Sequence, residues 1–147
     1  MATMTSYEIA RAPASGSSRV FRVVARERGT GGVAIGSCAG WCRARKVSGE
    51  ARAEGVEVFV SSLEVRETHR RRGVGRALVE AVEAIGASER GATRSTLSVN
   101  KWNAGALKMY ERLGFEYDER APSLKELAMD PLRLVQHRMS RTISRGD

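Results

Sequence analysis

The chain predicts an α/β (α+β) fold, a mixed and mostly antiparallel sheet with helices on its faces, and three stretches carry that prediction. Residues 19–45 read as a hairpin, 56–85 as strand, glycine-rich loop and helix, and 95–115 as strand, capped helix and the start of another strand. Elements in that order pack as a sheet against helices.

Residues 1–18 form a flexible or shortened N-terminal segment, because Pro13, Gly16 and the serines around them oppose a helix. Their Ser, Ala and Thr content, with Glu8 the one acid, suits either a disordered end or an organelle transit segment. Over 19–28, Val20, Arg22, Val24 and Arg26 alternate with Phe21, Val23, Ala25 and Glu27, the pattern of a strand. A turn at 29–32 precedes a second strand over 33–45. Residues 46–55 are a polar loop, and the β-formers Val56, Val58, Phe59, Val60 and Val65 make the next strand. Val74, Ala77, Leu78, Ala81, Val82 and Ile85 recur at helical spacing with Arg76, Glu80 and Glu83 opposite, and Gly86 supplies a stop. A short strand over 95–99 leads to Asn103, an N-cap candidate. Ala106, Leu107, Tyr110 and Leu113 then share one helical face that Gly114 ends. Phe115 opens a further strand, 122–129 a short helical turn before Pro131, and 132–139 a last strand.

With 147 residues and 41% hydrophobic content, one core closes readily and two would each be marginal, so residues 19–147 are read as a single domain. The formal charge of +8 suits a polyanionic ligand, a nucleic acid or an acidic membrane surface. Nucleic acid is disfavoured because only 5% of residues are aromatic and no stacking platform with basic interleaving appears. No apolar run approaches the length of a membrane span. Cys38 and Cys42, with only His69 and His137 as histidines, are wrongly spaced for zinc, so no metal is expected and the thiols read as small strand residues in a reduced, cytoplasmic setting, with nuclear or organellar locations open.

The most informative segment is Arg70-Arg71-Arg72-Gly73-Val74-Gly75, where a strand turns into a helix. Glycines let the backbone approach a bound group, the first-turn amides point at it, and the arginines add charge-assisted hydrogen bonds. The segment is a polyphosphate cradle. A third glycine for a dinucleotide fingerprint and a Gly-Lys-Ser/Thr ending are both missing.

Arg70-x-x-Gly73-x-Gly75 resembles the Q/R-x-x-G-x-G/A motif of the GNAT superfamily of N-acetyltransferases. The run Leu97-Ser98-Val99-Asn100, then Asn103, Ala106, Tyr110, Gly114 and Phe115, is similar to that family's strand followed by N-x-x-A-x-x-x-Y-x-x-x-G-F. The resemblance is tight over residues 56–116 and loose outside. It implies a GNAT-like sheet with helices on both faces, acetyl-CoA as cosubstrate, and transfer to a primary amine by direct attack in a ternary complex. It implies further that Leu63, Glu64 and Val65 align the pantetheine, that Arg70, Arg71, Arg72, Gly73, Val74, Gly75 and Arg76 hold the pyrophosphate, that Ser98 and Asn103 line the coenzyme arm, and that Tyr110 protonates the leaving thiolate. Read without the family, Tyr110 is a core tyrosine on an inward helical face, in need of a partner for its hydroxyl. The base is open between Glu57, Glu64, Asp118, Glu119 and a water held by Ser61 or Ser62, with Glu64 carried as the named candidate.

The family places helices ahead of its first hairpin, and these wall the acceptor side. Here only about eighteen residues precede Arg19, so that wall is shortened, or is built from residues 36–55, the tail from Ala121, or a partner subunit. Gly40-Trp41-Cys42-Arg43, Leu63-Glu64-Val65, Leu97-Ser98-Val99 with Asn103, and Asp118 with Pro122-Ser123 look like the layout of NatD-type protein N-terminal (histone) acetyltransferases. That family has a tyrosine and a glutamate where Ser61 and Ser62 stand, and a chain of charge +8 attracts a basic tail poorly. The acceptor therefore leans to a protein or peptide N-terminus, with a small-molecule amine or a non-catalytic acyl-CoA-binding role as alternatives, in a monomer or homodimer.

Overall fold

Alternation of side chains along each strand sorts the sheet into two unlike faces, and this decides where the helices lie. The computed structural model describes residues 6–13, 19–29, 31–46, 53–118 and 123–143. Its strands are β1 (Tyr7–Arg11), β2 (Phe21–Glu27), β3 (Ala34–Lys46), β4 (Ala53–Val65), β5 (Ala92–Asn100), β6 (Glu116–Tyr117) and β7 (Gln136–Thr142). They form one sheet in the order β1-β2-β3-β4-β5-β7-β6. Every neighbouring pair is antiparallel except β4 and β5, which are parallel and joined by the crossover helix α1 (Val74–Arg90).

On one face Val23 and Ala25 of β2, Val58 and Val60 of β4, Leu97 and Val99 of β5, and Met139 of β7 are all buried. They pack in one cluster with Val74, Leu78, Val79 and Val82 of α1 and with Tyr110 of α2 (Ala104–Arg112). Each fully buried Val or Leu in this stripe contributes about 1.5–3 kcal/mol, which is what holds α1 to the sheet. The opposite face carries Arg22 and Arg26, Trp41 and Arg43, Glu57 and Phe59, and Arg138. Among the described residues, the short α3 (Leu124–Met129) packs on the 3-10 turn Pro131–Leu134, which meets β7 with Arg133 close to Arg138, and Glu67 of a further 3-10 turn lies by Arg22 and Arg26. The mixed, mostly antiparallel sheet is as expected, and the helices divide very unequally between its faces.

Several boundaries differ from the sequence reading. Residues 7–11, assigned there to a flexible segment, form an edge strand paired with β2, because Tyr7 and Ile9 pack on the core while Glu8 and Ala10 face out. Residues 53–55, read as loop, begin β4, whereas 47–52 lie outside the described residues. The last strand starts at Gln136, not 132: Asp130 caps a 3-10 turn that begins at Pro131, its carboxylate accepting from the Leu132 amide at 3.2 Å. Glu83, placed by periodicity on the polar side of α1, is 4% exposed. It is buried because both of its oxygens accept from the Arg141 guanidinium of β7, which also donates to the Leu113 carbonyl. Removing Arg141 would strand that carboxylate in the core.

Gly86 does not stop α1 either. The helix runs on to Arg90 and ends at Gly91 (φ +68), whose amide bonds the Ala87 carbonyl. Gly86 is instead where helix and sheet touch: a Cβ there would meet Val58 Cβ at 2.9 Å. Val58 Cβ is fixed to its backbone and cannot swing aside. Gly86→Ala would gain up to about 1 kcal/mol of helix propensity, but overpacking of this kind costs about 1–3 kcal/mol. The expected outcome is a net fall in melting temperature, read by thermal denaturation; an unchanged or raised value would contradict the close approach.

Candidate active site

The parallel pair at the centre of the sheet comes apart. Register partners between β4 and β5 run from Val56 and Ala92 to Phe59 and Thr96 and stop there. β3 continues to pair with β4 as far as Val65, and β7 with β5 as far as Asn100. Above Phe59 and Thr96 the two strands therefore diverge, and the main-chain groups of 61–65 that would have met β5 are left for another partner. Ser62 marks the cause. Its φ of +53° is rare for a residue with a side chain and costs about 1–2 kcal/mol. The irregularity also reverses the alternation, so Leu63 and Val65 return to the helix side, each 3.9 Å from where a Cβ of Gly75 would stand.

Beyond Val65 the chain is pinned before it reaches α1. The Arg66 amide bonds the Ile35 carbonyl at 2.8 Å, and the 3-10 turn Glu67–His69 is tied to β2 by His69 Nε2 and Glu27 Oε1 at 2.9 Å. Arg71 (φ +63°) and Gly73 (φ +80°) then curl the backbone. Gly73 is the N-cap of α1, with no side-chain cap and no acid in the first turn. The Ala77 amide bonds the Gly73 carbonyl at 3.0 Å, while among the described residues the amides of 71–76 have no main-chain acceptor. A ring of free donors at a helix N-terminus fits a diphosphate. Gly73 and Gly75 leave the approach open: nothing lies within 4 Å of a Cβ at the first, and Met109 Sδ at 3.5 Å is the nearest atom at the second. Arg71, Arg72 and Arg76 are exposed around this site, whereas Arg70 Nε donates to the Val65 carbonyl at 3.2 Å and so braces the loop.

Across the divergence, Asn103 caps α2 as its position suggests, its side chain accepting from the Ala106 amide at 3.1 Å. The helix carries Tyr110 inward. That ring meets Phe115 edge-on at 5.6 Å between centroids and is 8% exposed. Its hydroxyl has no hydrogen-bond partner among the described residues. Burial, with the nearby Cys38 adding to it, pushes the phenol up to about 12, so it holds its proton at neutral pH. Cys38 in turn lies 3.5 Å from the Ser61 carbonyl, which puts Tyr110 on the helix side of the β4 irregularity.

Carboxylates separate by role. Glu57 accepts from Arg43 Nε at 2.5 Å and from the Thr96 hydroxyl at 2.9 Å, so it is occupied as a structural ion pair. Glu64 is exposed, lies on the sheet face away from α1, and has no ion pair among the described residues. It lines a depression of about 700 Å³ with Arg22, Arg26, Arg66 and Arg70. The Asp118 main-chain amide donates to the Arg138 carbonyl at 2.8 Å, its carboxylate lies close enough to Arg138 to favour that residue's charge, and Glu119 lies outside the described residues. Sequence reasoning missed Ser62 as the break in β4, although two consecutive serines interrupting a Val/Phe strand were a usable signal. It also missed His69, which anchors the loop.

Cys38, pushed up to about 12 mainly by burial, behaves as a small core residue. It and Tyr110 give a pH prediction. Each holds its proton more tightly folded than unfolded, so their contribution is complete below about pH 9 and is lost as pH rises towards about 12. Melting temperature should therefore fall steeply over that alkaline window, and the slope should be shallower in Cys38→Ala. An equal slope in both proteins would contradict the burial argument.

Among the described residues, no helix is long and apolar enough to cross a membrane, and no cluster of metal-ligating side chains is found. A comparison by sequence with curated proteins gives no significant match. Among solved structures, the chain is similar to Arabidopsis thaliana NAA60 in complex with acetyl-CoA, with 20% identity over 86% of this chain and 77% of that one and a TM-score of 0.63. It is similar also to the NatC complex bound to Gag peptide and CoA, with 20% identity, 84% and 71% covered and a TM-score of 0.58. Nourseothricin acetyltransferase gives 28% identity, 86% and 66% covered and a TM-score of 0.59. The profile of the acetyltransferase (GNAT) family matches residues 6–115, spanning the divergent strands, the cradle and the Tyr110 helix. The chain thus belongs to the GNAT acetyltransferase family and is an acetyl-CoA-dependent N-acetyltransferase.

Proposed function

We propose that the chain acetylates the α-amine at the N-terminus of a protein or peptide, by direct attack within a ternary complex. The observation that carries this reading is the gap between β4 and β5, which opens onto a sheet face that no long helix covers among the described residues. An extended main chain can reach the thioester there without threading a tunnel. Structures bound to a peptide and to acetyl-CoA stand among the similar proteins and support the same reading.

In this proposal the amides of 71–76, with Arg71, Arg72 and Arg76, hold the pyrophosphate. Main-chain groups of Leu63, Glu64 and Val65 align the pantetheine against β4, and Ser98 and Asn103 border it from the β5 side. Holding the thioester in line with the amine supplies much of the rate by orientation. The amine nitrogen bonds to the acetyl carbon as the carbon–sulfur bond breaks, and the buried Tyr110 hydroxyl gives its proton to the departing sulfur. The amine's own proton leaves through water held at Ser61 or Ser62 towards Glu64, the β4 carboxylate with no ion pair among the described residues. A single copy of the chain suffices for these roles, and two free cysteines suit a cytoplasmic setting.

The 28% identity to nourseothricin acetyltransferase favours a second reading, a small-molecule amine acceptor. Transfer of labelled acetyl from acetyl-CoA to pooled peptides, polyamines and amine antibiotics separates the two. Label on peptide α-amines is expected. Label on the small amines alone would overturn the peptide reading, as would tight coenzyme binding with no transfer.

A further inference from the structure

The open face has a charge pattern that selects among peptides, an inference that rests on the peptide reading above. Register places Arg22 opposite Ala39, Ala39 opposite Ser61, and Ser98 opposite Arg138. Ser61 and Ser98 stand two residues beyond Phe59 and Thr96, the last paired positions, and so flank the opening of the gap. Registered partners share a face. One row across the sheet thus reads Arg22, Ala39, Ser61, gap, Ser98, Arg138: small residues form a trough at the gap, and an arginine stands at each end.

Further cations back this row. Arg26 lies on the same face of β2, and Arg43 on the same face of β3, its guanidinium 5.4 Å from the Trp41 ring centroid. Arg133 lies close to Arg138. Acids stand among them: Glu57 is taken up by Arg43 and Thr96, Glu126 lies 3.9 Å from Arg133, and Glu64 and Glu67 share the depression lined by Arg22 and Arg26, so the excess of positive charge is greatest at Arg138. Arg138 is the telling residue. Its Nε is buried with no hydrogen-bond partner among the described residues, and burial, with Arg133 and Arg43 nearby, disfavours its charge by more than Glu57 and Asp118 favour it. A half-buried guanidinium in that state is stabilised by a carboxylate brought close to it.

We propose that the acceptor is a peptide with carboxylate side chains in its first few residues, lying extended across the open face, with Arg138 and Arg22 on either side of the gap receiving those carboxylates. Three paired strand spacings of about 4.8 Å and the wider β4–β5 gap separate β2 from β7, at least roughly 19 Å, the reach of about six or more extended residues. A basic tail would lie against like charge over the same path.

The test is kcat/KM for three matched peptides that differ only at residues 2 to 4, carrying Asp and Glu, Ser and Gln, or Lys and Arg, with the affinity for acetyl-CoA measured separately. The acidic peptide should exceed the neutral one by about tenfold, and the basic one by more, with the advantage shrinking between low and high salt. Arg22→Glu with Arg26→Glu, both exposed positions, should erase most of that preference while coenzyme affinity stays at the wild-type value. Arg138→Gln should do the same, and the exposed pair keeps the test valid if that variant folds poorly. Equal use of the three peptides overturns this inference and leaves the peptide reading standing. Transfer to no peptide, with coenzyme binding intact, overturns the peptide reading and this inference with it. Acetylation of free aspartate or glutamate in preference to the acidic peptide also overturns it, because the trough is then a small-molecule site. Binding of a single-stranded oligonucleotide more tightly than the acidic peptide, lost in the same charge reversals, gives the face to nucleic acid and overturns it too.

Discussion

Gly73→Glu should weaken acetyl-CoA binding by at least about a hundredfold in titration calorimetry while the chain still folds. Gly73 sits at φ +80° as the N-cap of α1, where a residue with a side chain pays about 1–2 kcal/mol. The new carboxylate also arrives beside the amides of 71–76, which have no main-chain acceptor among the described residues and hold the diphosphate in the proposed function. Two unit charges about 4 Å apart at an effective dielectric near 20 repel by about 4 kcal/mol. The repulsion alone exceeds the roughly 2.7 kcal/mol that a hundredfold change requires. The loss of folding stability is limited to that backbone strain, because a Cβ at this position meets nothing within 4 Å. Gly73→Ala isolates the backbone cost and should lose only about tenfold. An affinity for Gly73→Glu close to that of Gly73→Ala would remove the anion from the cradle.

Tyr110→Phe should lower kcat by about 10²–10⁴, the usual range for a lost general acid, and leave acetyl-CoA affinity nearly intact. The substitution keeps the ring and its edge contact with Phe115 at 5.6 Å, so packing changes little. What disappears is a hydroxyl without a hydrogen-bond partner among the described residues, pushed up to about 12 by burial and so protonated at any physiological pH. The sign matters: a raised phenol pKa keeps the donor charged with its proton as pH rises. Activity should therefore show no fall from Tyr110 ionisation until pH approaches about 12. Wild-type turnover in Tyr110→Phe would return Tyr110 to the plain core role that helical spacing alone allows.

Much of this was legible in the chain because local chemistry and fold agree there. The strand, cradle and helix over residues 56–85 combine β-formers, two glycines and a helical stripe, and Asn103 and Gly114 bound α2 just as cap preferences dictate. Legibility failed where a tertiary partner decides. Glu83 reads as a surface glutamate until Arg141, far along the chain, takes both of its oxygens. Gly86 reads as a stop until Val58 is seen against it. β1 is too short for alternation to stand out. Glu57, a candidate base in sequence, is committed to Arg43 and Thr96, a partnership that only the pairing of β3, β4 and β5 creates. The arginine row was illegible for the same reason: Arg22 and Arg138 lie far apart in sequence and share a row only through strand register.

Amide hydrogen exchange of 71–76, with and without acetyl-CoA, tests the central claim most directly. These donors have no main-chain acceptor among the described residues, so they should exchange fast in the free protein and slow strongly on binding, together with the β4 amides of 63–65. Saturating acetyl-CoA that protects other parts of the chain and leaves 71–76 exchanging freely would contradict the account.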